Sequence, residues 1–151
     1  MAVIENPRKQ FNFSILCAGL NPFLAQNVNT PDYSLEVATH GDANYKVKTA
    51  GLPDIGTLMI EKISPATAPD NWVWIWIRDI QNTFTGGGQL PSNYKRTIEI
   101  QQYSNDGVTI LNRWMLYGCW PSKINGVEFK RLGSENTLEN LELQVDRILH
   151  L

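Results

Sequence analysis

Enzymatic chemistry starts from a nucleophile or a base held by an orienting partner. This 151-residue chain offers two histidines for that purpose, His40 and His150. His40 stands in a polar stretch and His150 one residue from the end, and neither belongs to a hydrolase or metalloprotease motif. Cys17 and Cys119 are far apart and in no ligand-like spacing, so they read as two small buried free thiols, with no zinc ribbon and no disulfide framework. Gly86-Gly87-Gly88 lacks the Lys and Ser or Thr of a phosphate loop and comes after an apolar run instead of opening a helix, so it reads as a connection. Glu135, Glu139 and Glu142 have helical spacing and read as a solvated face. Arg8, Lys9 and Phe11 read as a terminal arm. Asn12-Phe13-Ser14 is a glycosylation sequon that acts only on export. The expectation is a protein with no catalytic residue, no metal site and no cofactor.

Thirteen Lys and Arg against fifteen Asp and Glu leave a formal charge of -2. That balance supplies no general pull onto a nucleic-acid backbone or an anionic membrane. The apolar run Trp72 to Ile77 is far too short to span a bilayer, and the first ten residues lack the basic start and apolar stretch of a signal peptide. The size and the 42% hydrophobic content suit one domain, residues 1–151, with its own core.

Turns and alternation then organise the chain. Phe11 to Ile15, Tyr33 to Val37, Thr57 to Glu61 and Thr97 to Gln101 alternate as half-buried strands do. Asn105-Asp106-Gly107 is a hairpin turn joining the last of these to an aromatic strand from Ile110 to Trp120, ending at Pro121. Alternation expects Tyr33, Leu35, Val37, Leu58, Ile60, Ile98, Ile100, Trp114 and Leu116 in the core, with Ser34, Glu36, Thr57, Glu99 and Gln101 on the opposite face. The run from Trp72 is apolar on every side; Asp70 as N-cap and the triple glycine as stop predict a buried helix over about 70–83. In segment 137–148, Leu138, Leu141, Val145 and Ile148 fit a helix face, while Leu141, Leu143 and Val145 alternate as a strand. Local pattern slightly favours the helix. Thr39 to Gly56 is poor in large aliphatic residues and reads as a long loop. Its residues His40, Asp42, Asn44, Tyr45, Lys46 and Lys48 suit an arm that becomes ordered against a neighbouring subunit.

In order, these pieces resemble the tail tube proteins of contractile-tailed bacteriophages and, through them, the tube protein of type VI secretion. The resemblance covers most of the chain: Phe11-Asn12-Phe13 through Ile15 to Gly19-Leu20; Leu52-Pro53-Asp54-Ile55-Gly56 into Thr57 to Lys62; the Trp-rich helix at Asn71 to Ile77; Tyr94 to Ile100 with its Asn-Asp-Gly hairpin; Arg113 to Pro121; and Glu135 to Leu143 as a final strand.

The resemblance implies a mostly β fold, a two-sheet antiparallel β-barrel or sandwich with one flanking helix, and it places 137–148 in the sheet. It implies a non-enzymatic subunit of hexameric rings stacked into a hollow tube in the virion tail, assembled in the host cytoplasm. Sheath, baseplate and tail terminator proteins are the implied partners, with DNA passing through the lumen without tight binding and no membrane insertion. Ser34, Glu36, Thr57, Glu99 and Gln101 become the lumen-facing set. The tube of a contractile secretion or injection machine shares this fold. A different class, a monomeric β-barrel carrier with tryptophans walling an apolar ligand, is the alternative.

Overall fold

Alternating apolar and polar residues build most of the chain into antiparallel strands. The computed structural model describes residues 12–17, 25–41, 43–63, 72–126, 129–133 and 138–151. Its elements are β1 (Phe13–Cys17), β2 (Ala25–Asn29), β3 (Tyr33–Gly41), β4 (Lys46–Ile55), β5 (Leu58–Ile63), α1 (Trp72–Ile80), α2 (Pro91–Tyr94), β6 (Arg96–Tyr103), β7 (Ile110–Ile124), β8 (Leu138–Gln144) and β9 (Arg147–His150). The main sheet runs β1-β6-β7-β8-β5-β2, with β9 also on β7, and β3 and β4 pair with each other as a separate ribbon.

One long strand turns this sheet into two facing halves. The first part of β7 pairs with β6 and β9, and its last residues pair with β8. Tyr117 faces Arg147 and Trp120 faces Gln144, so Gly118-Cys119 lies opposite Val145-Asp146 at the bend. Gly118 has φ of 68°, a left-handed value that a residue with a Cβ adopts only under strain. Asp146 donates its N–H to the Tyr117 carbonyl (3.0 Å) and its carboxylate meets Lys95 Nζ at 2.6 Å. The two halves close over one core: Ile15, Ile98, Ile100 and Leu116 from one side, Leu58, Ile60, Leu141 and Leu143 from the other. The fold is mostly β and antiparallel, as expected, with a main sheet and a smaller one.

The Asn-Asp-Gly turn forms as read. Asp106 accepts from the backbone N–H groups of Val108 (2.9 Å) and Thr109 (3.0 Å), and from the hydroxyls of Thr109 and Ser104. Gly107 takes the positive φ. The C-terminal segment is strand, β8 and β9, with Leu141, Leu143 and Val145 buried; cross-strand pairing overrides the local helical spacing.

Several expectations are corrected. Tyr33, Leu35 and Val37 are not core: they are 59%, 51% and 67% exposed, because among the described residues β3 pairs only with β4 and the ribbon stands outside the main sheet. The expected loop Thr39 to Gly56 is instead the end of β3, a short tip and β4, since backbone pairing needs no apolar side chains. The helix stops at Ile80 and buries only Val73 and Trp76, while Trp74 is 45% exposed; a helix laid on a flank hides one stripe, not its whole surface. β7 continues past Pro121 to Ile124, with a register shift between Pro121 and Lys123 that tolerates the missing N–H. Strand β2 and helix α2 carry no pattern that announced them. The first strand is Phe13–Cys17, two residues later than read.

Glu139 is not on a solvated helical face. It is buried at 8%, directly across from Lys62 at 1%, with Nζ to Oε2 at 3.8 Å. Lys62 also lies 6.0 Å from the Trp72 ring centroid, so the barrel closes under α1 around a paired charge. Asp70, Phe11, Arg8, Lys9 and Glu135 lie outside the described residues.

Candidate functional site

The surface that stands out is the β3–β4 ribbon, whose nine and ten residues are exposed almost throughout. Cross-strand partners share a face. Tyr33 opposes Ile55, Leu35 opposes Pro53, Val37 opposes Ala50, Thr39 opposes Lys48 and Gly41 opposes Lys46. That face is apolar near the base and basic near the tip. Ser34 opposes Asp54, Ala38 opposes Thr49 and His40 opposes Val47 on the other face, with Glu36 between the first two pairs at the register shift. That face is acidic near the base. Of the arm residues named from sequence, His40, Lys46 and Lys48 are therefore strand residues, Asn44 and Tyr45 form the exposed tip, and Asp42 lies outside the described residues.

A second surface is the outward face of β1, β6 and β7. Ser14 Oγ and Tyr103 OH are 2.9 Å apart, Tyr103 OH donates to Gln101 Oε1 (2.8 Å), Gln101 Nε2 donates to Glu99 Oε1 (2.5 Å), and Arg113 Nε lies 2.7 Å from the same oxygen. This chain of contacts ties three strands together, and Glu99 carries its charge beside a guanidinium. Ile98 and Ile100 point inward as expected and Glu99 and Gln101 outward. Gln101 is nonetheless only 8% exposed, because Tyr103, Glu99 and Arg113 lie over it. Thr57 lies half-buried in the connection from β4 to β5, while Ser34 and Glu36 sit on the ribbon, so of the five residues only Glu99 and Gln101 belong to this face. Arg113, Tyr103 and Ser14 were not singled out from sequence, although the Asn-Asp-Gly turn sets the register that puts Arg113 opposite Gln101.

Two further concavities flank the barrel. An open cleft of about 750 Å³ between β2 and the β1–β6–β7 half is lined by Phe13, Val28, Ile100, Trp114 and the amides of Asn27 and Gln102. A groove of about 550 Å³ on the exposed side of α1 is lined by Trp74, Ile75, Ile77 and Phe84 among others. Trp76 is no ligand wall: it is buried, donates Nε1–H to the Tyr94 carbonyl (2.7 Å) and lies under Arg96.

The chemistry available is correspondingly quiet. Burial pushes the Cys17 thiol up to about 11, and burial together with Cys17 pushes Cys119 up to about 12, so both are protonated at neutral pH. Among the described residues, no group of three or more His, Cys, Asp or Glu is arranged to hold a metal ion, and no helix is long and apolar enough to cross a membrane.

The sequence model of the T4-like virus tail tube protein gp19 family matches residues 9–149. The chain belongs to the tail tube protein family. Comparison with curated protein sequences gives no match. Solved structures share the tail tube fold at low identity. A chain of the anti-feeding prophage cap, the tube terminating cap, has a TM-score of 0.81 at 17% identity, covering 100% of this chain and 95% of that one. A chain of an extracellular contractile injection system, in its PVC sheath/tube terminator in the extended state, has a TM-score of 0.81 at 18% identity, covering 99% of each chain. Hcp1 from Flavobacterium johnsoniae has a TM-score of 0.56 at 15% identity, covering 93% of this chain and 94% of that one. The tail tube family is one of structural proteins.

Proposed function

We propose that this tail tube protein is a repeating subunit whose copies close into hexameric rings, and that the rings stack into the hollow tube of a contractile phage tail. The observation that carries this reading is the β3–β4 ribbon: a two-stranded hairpin is marginal alone, and this one keeps Tyr33, Leu35 and Val37 largely in water within one chain. A neighbouring copy in a ring covers such a surface, and head-to-tail repetition extends it into a filament. Among the described residues β1 and β2 are the edges of the main sheet, and their outer backbone groups add to the surface a neighbour can pair with.

The outward face of β6 and β7 is the lumen wall in this reading. There Arg113 lies against the acid Glu99, so this guanidinium is already matched by a carboxylate, and DNA slides past without the counterion release that makes duplex binding tight. Sheath, baseplate and terminator subunits are the further partners, and the site of action is the virion tail, after assembly in the host cytoplasm. A second reading, the tube of an injection machine passing another cargo, is favoured by the likeness to chains of an extracellular contractile injection system. Trp76, buried and bonded through Nε1–H to the Tyr94 carbonyl, is not free to wall an apolar ligand, which counts against a monomeric carrier that uses it. Negative-stain microscopy and light scattering of the purified protein test the reading. Rings or tubes are expected; a strictly monomeric species at high concentration, even with a baseplate-like nucleator, overturns it.

A further inference from the structure

The two faces of the β3–β4 ribbon complement each other, and from this we infer that the ribbon of one copy packs against the ribbon of the next, with the basic tip on the acidic base. The inference rests on the self-assembling reading above and names the surfaces that carry it. Lys46 and Lys48 project from one face near the tip, while Glu36 and Asp54 project from the other face near the base; all four are exposed.

Within one ribbon these charges lie on opposite sides of a hydrogen-bonded sheet, so they do not neutralise each other. The pair Thr39–Lys48 and the pair Ser34–Asp54 are five β3 residues apart, about 16 Å along the strand. A second ribbon laid over the first with a stagger of that size brings lysines onto carboxylates. Exposed ion pairs are individually weak, but several acting together set register and exclude the unstaggered arrangement, in which the lysines miss the carboxylates.

The contact is heterologous, because one face of the first copy meets the opposite face of the second. It cannot close a two-fold dimer, and repetition yields a ring or a filament. The same chain therefore supplies both halves of its own docking site.

Charge swapping tests this. The K46E/K48E variant gives an acidic tip facing an acidic base, and the E36K/D54K variant gives a basic tip facing a basic base. Each is expected to lose rings and tubes in microscopy and sedimentation at concentrations where the parent assembles, with an unchanged circular dichroism spectrum. Mixing the two variants in equal amounts restores both kinds of contact and is expected to restore assembly. Assembly of either variant alone at the parent level overturns the inference, as does a mixture of folded variants that stays dispersed. As an independent measurement, a Lys48→Cys copy mixed with an Asp54→Cys copy and mildly oxidised is expected to give a disulfide-linked dimer that neither gives alone; its absence in assembled material has the same meaning. A parent protein that forms no assembly strikes at the self-assembling reading instead.

Discussion

Replacing Gly118 by Ala perturbs the point at which β7 passes from one half of the barrel to the other. Two separate effects add there. The φ of 68° is left-handed, which costs a residue with a Cβ about 1–2 kcal/mol. The new Cβ also falls 2.7 Å from Asp146 Cγ and 2.9 Å from Asp146 Cβ. Rotating the carboxylate relieves the first contact but not the second, so the β8–β9 corner must shift; crowding of this kind costs about 1–3 kcal/mol. The shift also strains the Lys95–Asp146 pair and the bond from Asp146 N–H to the Tyr117 carbonyl. We expect a total loss of about 2–5 kcal/mol, read in equilibrium urea denaturation as a midpoint lower by at least about 1 M. Adding Asp146→Gly removes the contact but not the backbone cost, and it gives up the Lys95 pair, so the double variant should recover at most the crowding part of the loss, about 1–3 kcal/mol. A Gly118→Ala protein within about 0.5 kcal/mol of the parent would show that the bend does not depend on this glycine.

Three other outcomes are expected. Lys62→Met or Glu139→Leu alone leaves a buried charge without its cross-strand partner and should cost about 3–5 kcal/mol, while the double variant costs less than either single one, measured as a denaturation double-mutant cycle. The Ser104 hydroxyl, with the Thr109 and Val108 N–H groups and the Thr109 hydroxyl, holds the Asp106 carboxyl well below the usual carboxylate range. The unfolded chain therefore binds the proton first, so this contribution is complete above about pH 4 and is lost as pH falls below it; Asp106→Ala should flatten the acid limb of the stability profile. Cys17 and Cys119 should resist a thiol reagent in the folded protein and react in urea, and because their folded pKa values are raised, stability should decline as pH rises above about 9.

Much of the barrel was legible because its strands are half-buried and so carry period-two alternation. Leu58, Ile60, Ile98, Ile100 and Leu116 are all inside as read, and the Asn-Asp-Gly turn set the β6–β7 pairing. The candidate site was less legible. Tyr33, Leu35 and Val37 alternate just as Ile98 and Ile100 do, yet they stay in water, because alternation records which residues share a face and not whether anything covers that face. β4 was hidden for the converse reason: exposed on both sides, it needs no apolar period, because half of its backbone groups bond to β3 and the other half face outward.

Order along the chain, alternation and turn chemistry are local properties, and by themselves they determined a mostly β chain with a Trp-rich helix and a polar arm. Tertiary structure decided which elements face one another. It converted Glu139 from an apparent surface acid into the buried partner of Lys62, and it made the C-terminal segment strand against its own helical spacing. It also placed Lys46 and Lys48 on the face opposite Glu36 and Asp54. The physical reason is that burial and pairing are set by contacts between residues distant in sequence, and their energies exceed the few tenths of a kcal/mol by which local propensity separates one conformation from another.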